Sequence, residues 1–250
     1  MNNKPNRVAR FTSSKLSVLT VDGKDKYGFG AGALTYINQR KKELLLGRGI
    51  NLPVNKWEMN WGKLWEVWVH WQLGNDYELI VEKTTIHPKY DFWSGSEDFQ
   101  VKVDGGCISE LKAYQMDNYV DYTECLQKQS IDALKKDFKD EYWQIVSNSC
   151  IHNTKFGEAM AFMPTEENLL EMRDLVENTD YIEKHIKDDP YKYRFIVERD
   201  LYDLPFIPSH SDFPSMTKFR FEVPIEDKIY LTKRVIDANK LLNELIDGNE

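Results

Sequence analysis

The chain has 250 residues, with 33 basic and 41 acidic side chains and a formal net charge of −8. Hydrophobic residues make up 41%, charged residues 30% and aromatic residues 13%, a globular composition that excludes collagen-like and low-complexity chains. Net acidity argues against a protein that coats nucleic acid unspecifically, and no run of about 18 apolar residues marks a membrane span.

Charge is uneven along the chain. Residues 1–48 hold ten Lys/Arg and three Asp/Glu, so the basic N-terminal arm and first helix can meet a phosphate backbone, with a charged solvated face as the plainer reading. Met1–Asn6 has no apolar stretch behind it of the kind a secretion signal needs. Cys107, Cys125 and Cys150 are odd in number and far apart, which fits a reduced, cytoplasmic compartment rather than a disulfide framework. No Pro/Gly/Ser-rich linker divides the chain, so one domain is expected over 1–250.

In chain order, Ser13-Ser14 are placed to cap a short helix from about Lys15. Residues 22–32 read as a loop; its Gly28, Gly30 and Gly32 lack the Gly-Lys-Ser/Thr of a phosphate loop. Helices are expected at Ala33–Leu46, stopped by Gly47 or Gly49, and at Met59–Leu73, where Trp61, Trp65 and Trp68 form one stripe. Such a stripe is core more often than a base-stacking surface. Tyr77–Glu82, Phe99–Val103 and Cys107–Lys112 read as strands, the last two joined by a turn at Asp104-Gly105-Gly106. Helices follow at Tyr119–Phe138 and Glu141–His152, then a strand at Glu158–Met163 and a long polar helix at Glu166–Lys187. Strands at Tyr193–Glu198 and Lys218–Val223 and an amphipathic helix at Asp227–Ile246 close the chain. The order predicts an α/β (α+β) fold, a mixed central sheet flanked by helices.

The chemistry concentrates at Gly95-Ser96-Glu97-Asp98 and Glu110-Leu111-Lys112. Pairing centred on Gly105 sets residue 98 roughly opposite 112 and 110 near 100, so Asp98 and Glu110 can converge on one cation if they share a face. Glu110 and Lys112 are two apart in a strand and point the same way. Hard oxygen ligands select Mg²⁺ or Mn²⁺, and a water bound there can be lowered in pKa and aimed at phosphorus. Lys112 is placed to orient that water or to stabilise charge on the phosphate. Glu66, on the tryptophan helix, is the natural third carboxylate. An Asp and a Glu-x-Lys across a hairpin also occur as ordinary surface residues.

These segments resemble the PD-(D/E)xK nuclease superfamily and, more narrowly, the YqaJ-like and lambda-exonuclease-like phage recombination exonucleases. The similarity spans about residues 7–165 in consistent order. It rests on Gly62 followed by Glu66, on Gly95-Ser96-Glu97-Asp98-Phe99 in place of a Gly-Ser-Pro-Asp-Gly segment, on Glu110-Leu111-Lys112, and on Tyr142-Trp143-Gln144. Arg10 and Ser14 look like the family's basic residue and serine-bearing helix start. The resemblance implies a restriction-endonuclease-like fold. It implies Mg²⁺-dependent, 5′-to-3′ exonuclease action on linear duplex DNA ends, with Mn²⁺ able to substitute. It implies Glu66, Asp98, Glu110 and the Leu111 carbonyl as metal ligands, with Lys112 and Gln144 beside them. Arg10 and Ser14 are then the phosphate residues, since a hydroxyl at a helix N-terminus with a nearby guanidinium suits an anion. A ring-shaped homo-trimer and a single-strand annealing partner are implied as well.

Two departures stand out: Glu97 replaces the proline and Phe99 the following glycine, so Glu97 is either an extra acid near the metal or points away. Residues 166–250 show no match and read as a C-terminal elaboration. Iron–sulfur-bearing relatives use four cysteines, and this chain has three. His70 and His87 lie near the predicted site without a companion for zinc. The alternatives are an endonuclease of the same fold and a non-catalytic module that binds DNA ends or proteins.

Overall fold

The computed structural model describes residues 7–50, 57–80 and 83–248. Met1–Asn6 and the end of the expected Tyr77–Glu82 strand lie outside the described residues. The main sheet has five strands: β2 (Tyr77–Leu79), β5 (Phe99–Val101), β6 (Cys107–Lys112), β7 (Phe156–Phe162) and β8 (Met216–Glu222), in the order β2-β5-β6-β7-β8. All neighbours are antiparallel except β6 and β7. That parallel pair needs a long crossover, supplied by α3 (Met116–Gln127), α4 (Ile131–Asp137) and α5 (Lys139–His152). A small sheet holds β1 (Phe11–Thr12), β4 (Trp93–Gly95) and β3 (Thr85–Ile86) in the order β1-β4-β3.

Alternation along the strands sends side chains to two cores. Ile108, Ala159, Ala161, Phe219 and Phe221 pack with α5, with α1 (Ala31–Leu46) and with α8 (Ile225–Asp247). Phe99, Val101, Leu111, Met160 and Phe162 pack on the opposite face with α2 (Trp57–Leu73) and α6 (Glu166–Asn178). Trp61, Trp65 and Trp68 are buried in that second core and meet edge to face, so the stripe is packing. β8 pairs with β7 over its whole length and α8 buries Leu231, Val235 and Leu242 against the first core. Residues 216–247 are thus integral to the same sheet and core.

Several boundaries differ from expectation. The hairpin pairs Phe99 with Ser109 and Val101 with Cys107, which moves the register by two residues from the expected one. Its turn takes up 102–106, with Gly105 and Gly106 both at positive φ, a backbone that glycine adopts at least cost. The expected 119–138 helix breaks into α3 and α4 where Gln129 turns left-handed and Ser130 caps the next helix through Ala133 N–H. The long polar helix ends at Asn178, followed by a separate π-helical turn at Ile182–Ile186. The expected strand at 193–198 is helical: Pro190–Tyr193 forms a 3₁₀ turn and Phe195–Glu198 is α7. Asp189 caps that turn and Pro190 pre-sets its φ.

The N-terminal helix is a 3₁₀ segment, Ser13–Thr20, with Thr12 at its cap and no side-chain cap bond. Ser13 instead reaches Ser147 of α5, so neither serine caps. The glycine-bearing loop before α1 wraps Arg234, whose guanidinium donates to the carbonyls of Leu19, Val21, Tyr27 and Gly28. The loop is therefore a structural clasp.

Candidate active site

β6 sits between β5 and β7, so its residues are fixed on both edges. The observed register puts Asp98 directly across from Glu110 (β5 pairing continued by one residue), on one face. The Leu111 N–H donates to Asp98 Oδ2 at 2.7 Å. A strand residue sends its N–H and C=O to the same edge, so the Leu111 carbonyl also faces Asp98.

Glu110 is fully buried, and a buried carboxylate needs partners. The Gln144 amide supplies one, donating to Glu110 Oε2 at 2.5 Å while its own oxygen accepts from Lys112 Nζ at 3.2 Å. Gln144 therefore spans the acid and the base of the Glu-x-Lys, whose charged atoms lie 3.8 Å apart. Asn148, one turn further along α5, donates to Glu110 Oε1 and to the Ser96 carbonyl. Asn148 went unread in the sequence; its signal was the four-residue spacing from Gln144, which places both amides on one helix face.

Gly95 makes this approach feasible. A Cβ there would lie 2.1 Å from Asn148 Oδ1 and 2.2 Å from Ser13 Oγ. Asn148 Oδ1 is buried and, among the described residues, has no hydrogen-bond partner.

Three carboxyls crowd this end of the sheet. Burial, then the charge of Asp98, pushes Glu66 up to about 8, against the pull of Lys112 and Lys63. Burial raises Asp98 against Lys112 and the Leu111 N–H. Burial and Asp98 push Glu110 well above the usual carboxylate range. Lys112 is depressed by its own burial, but Glu110, Asp98, Glu141 and Glu66 more than offset this and hold it above the ordinary amine range. Fully ionised, the set would carry more negative charge than its lysine neutralises, which is why its carboxyls are raised, and all its oxygens are hard donors. Among the described residues no three acidic, His or Cys side chains stand at the spacing of a closed metal cage. Mg²⁺ does not require one, since it is held by one or two carboxylates together with waters and substrate oxygens. The donor set fits that ion.

Glu97 turns to a different task. Its carboxylate lies 2.7 Å from His152 Nε2 and accepts from Gln100 Nε2 at 2.7 Å. Burial alone would raise it, yet these bonds hold it below the usual range. The extra acid is consumed in a structural pair.

Arg10 donates to the Asp91 carbonyl at 2.6 Å, and Ser14 is exposed on the 3₁₀ segment. The arginine that reaches the site wall is Arg7: it donates to Ser96 Oγ at 2.8 Å and Thr84 Oγ1 at 3.0 Å. Partial burial lowers its pKa, and among the described residues it has no carboxylate partner. His87 stacks on Trp93 away from these carboxyls, and His70 bonds the Tyr77 carbonyl.

The mixed sheet flanked by helices is similar to that of several solved structures. The chain is similar to an alkaline exonuclease (LHK-Exo) from Laribacter hongkongensis, with a TM-score of 0.58 at 11% identity, over 96% of this chain and 91% of that one. It is similar to the same enzyme in complex with dAMP, with a TM-score of 0.60 at 11% identity, over 97% and 92%. A phage-related exonuclease from Haemophilus somnus 129PT gives a TM-score of 0.58 at 14% identity, over 96% of each chain. The fold is that of these exonucleases. No protein-family model matches the chain, and no curated protein matches it. No helix among the described residues is long and apolar enough to cross a membrane.

Proposed function

We propose that the protein is a Mg²⁺-dependent deoxyribonuclease that degrades linear duplex DNA from its 5′ ends, in the setting of phage-type recombination. The observation that carries this reading is the Gln144 bridge: one amide holds Glu110 and Lys112 in register while Asp98 is fixed opposite them. Glu66, Asp98, Glu110 and the Leu111 carbonyl would hold the ion, with Mn²⁺ as a substitute. The bound ion supplies Lewis acidity to the phosphate and to a water. Lys112 stays protonated and has only N–H groups to offer. It therefore orients the attacking water or neutralises charge growing on the phosphate oxygens, and does not take a proton. Gln144 fixes where that ammonium points.

The wall of the site supports the 5′ polarity of this reading. Arg7, whose side chain bonds hydroxyls and no carboxylate among the described residues, has charge left for a phosphate, and the exposed Ser14 hydroxyl lies near it in the chain. Arg7 takes the role for which the resemblance pointed to Arg10. A neighbour crystallised in complex with dAMP, a mononucleotide, is in keeping with stepwise release of nucleotides.

Linear duplex labelled at the 5′ or the 3′ end, and closed circular duplex, are incubated with protein and Mg²⁺. The linear forms should be consumed with early loss of the 5′ label, and the circle should persist. Asp98→Asn should abolish this. Cutting of the circle would make the protein an endonuclease, and no Mg²⁺-dependent loss of any substrate would refute the enzyme.

A further inference from the structure

Three side chains on one face of α1 are buried and point away from the helix's own hydrogen-bonding needs: Tyr36, Arg40 and Glu43, at spacings of four and three. Each ends on the backbone of the N-terminal arm. The Tyr36 hydroxyl accepts from Thr12 N–H at 2.9 Å. Arg40 donates to the Arg10 carbonyl at 3.2 Å. Glu43 accepts from Ala9 N–H at 2.8 Å and, with its other oxygen, from Ile50 N–H at 3.5 Å. Arg40 and Glu43 pair with each other at 2.9 Å, and the guanidinium lies over the Tyr36 ring, 5.0 Å from its centre. The three form one connected ladder.

A buried ion pair seldom stabilises more than an apolar pair of the same volume, so stability alone is a weak reason for this one. What the ladder holds is unusual. Ala9 has φ of 60°, a left-handed backbone that a residue with a Cβ avoids. That kink sits between Arg10, which turns to Asp91, and Arg7, which turns to Ser96 and Thr84. Ser96 in turn accepts, through its carbonyl, from the Asn148 amide that holds Glu110. The arm is thereby tied to the same wall as the carboxyl cluster.

We infer that the Tyr36–Arg40–Glu43 ladder is a positioning device that imposes the kink at Ala9 and so holds Arg7 against Ser96 and Thr84, on the wall beside the carboxyl cluster. The consequence for DNA ends rests on the function proposed above; the kink itself does not. Glu43 is the key rung, because its carboxylate is the acceptor for the strained residue's own N–H.

The test uses the full chain and two readouts. Hydrogen exchange over residues 7–12 reports the arm. The KM for linear duplex with 5′-phosphate against 5′-hydroxyl ends reports its consequence. Glu43→Gln should speed exchange over 7–12 by about tenfold, the loss expected for a hydrogen bond to a charged acceptor, with exchange in β6 and β7 unchanged. Its KM for phosphorylated ends should rise towards that for hydroxyl ends, with kcat kept. Ala9→Gly added to Glu43→Gln should recover part of the end preference, since glycine takes the kink without strain. A merely destabilised variant would gain nothing from that change. Tyr36→Phe removes only the Thr12 acceptor, keeps the ring, and should loosen the arm without unfolding α1. Unchanged exchange over 7–12 in both variants, or exchange that rises equally across the whole chain, would overturn the inference. Arg7→Ala separates the two levels: if it leaves the end preference intact, the phosphate reading falls, and the exchange data still decide the ladder.

Discussion

Replacing Glu66 by glutamine should stabilise the metal-free protein at alkaline pH. The Glu66 carboxyl is pushed from an ordinary 4.5 up to about 8, by burial and by the charge of Asp98. The unfolded chain gives up this proton near pH 4.5, and the folded chain holds it until about pH 8. In that window the unfolded state binds fewer protons, so stability falls as pH rises. At about 1.4 kcal/mol per tenfold in proton affinity, the difference between 4.5 and about 8 has a ceiling of about 5 kcal/mol. Glu66 keeps some contact with solvent and shares the fields of Lys112 and Lys63, and screening brings the effect to about 1–2 kcal/mol. At about 2–4 °C per kcal/mol for a chain of this size, the melting temperature of wild type should drop by a few degrees between pH 5 and 8.5 in chelator. Glu66→Gln should show a smaller drop than wild type, since Asp98 and Glu110 stay raised, and should exceed wild type at pH 8. Mg²⁺ should raise wild type and leave the variant little changed. If the variant melts below wild type at pH 8 in chelator, Glu66 is not crowded by its neighbouring carboxyls.

Gly95→Ala should lose activity and about 1–3 kcal/mol of stability by overpacking, because its methyl would land on Asn148 Oδ1 and Ser13 Oγ; melting curves and the duplex assay read the two effects. His152→Leu should cost about 1–3 kcal/mol at pH 7 by leaving Glu97 buried and under-bonded. Since Glu97 is held below its ordinary range, its contribution is present above its unfolded pKa and lost as pH falls through the folded one, so the deficit should shrink in acid, as urea melts at several pH values would show.

The parts of the site written in local chemistry were readable. Phe99 and Val101 alternate with Gln100, and Gly105-Gly106 announces a turn, so the hairpin and its two acids were found. The register was not, because five residues rather than three make the turn, and only the ladder itself fixes that count. The corrected pairing strengthens the site, since it brings residues 98 and 110 face to face. Residues 193–198 alternate like a strand, yet Tyr193 and Ile196 are buried at helical spacing behind an Asp-Pro start; tertiary packing decided the matter. The small sheet was invisible because strands of two or three residues carry no period. Arg7 was missed because what selects it is an approach across 89 positions of sequence, which no local pattern encodes; Asn148 shares a helix face with Gln144, but its reach to Glu110 spans 38 positions.

The placement of Glu110 and Lys112 on β6 divides the site mechanically. A strand with hydrogen-bonded neighbours on both sides opens only when much of the molecule opens with it, so the half of the site that holds Glu110 and Lys112 is as permanent as the fold. The arm that brings Arg7 is pinned by a few side chains and borders on solvent, and it can yield locally at far smaller cost. On the proposed function, a DNA end reaching the carboxyl cluster would therefore meet an unyielding anvil and a compliant finger, and tolerance for imperfect ends would be tuned in the finger.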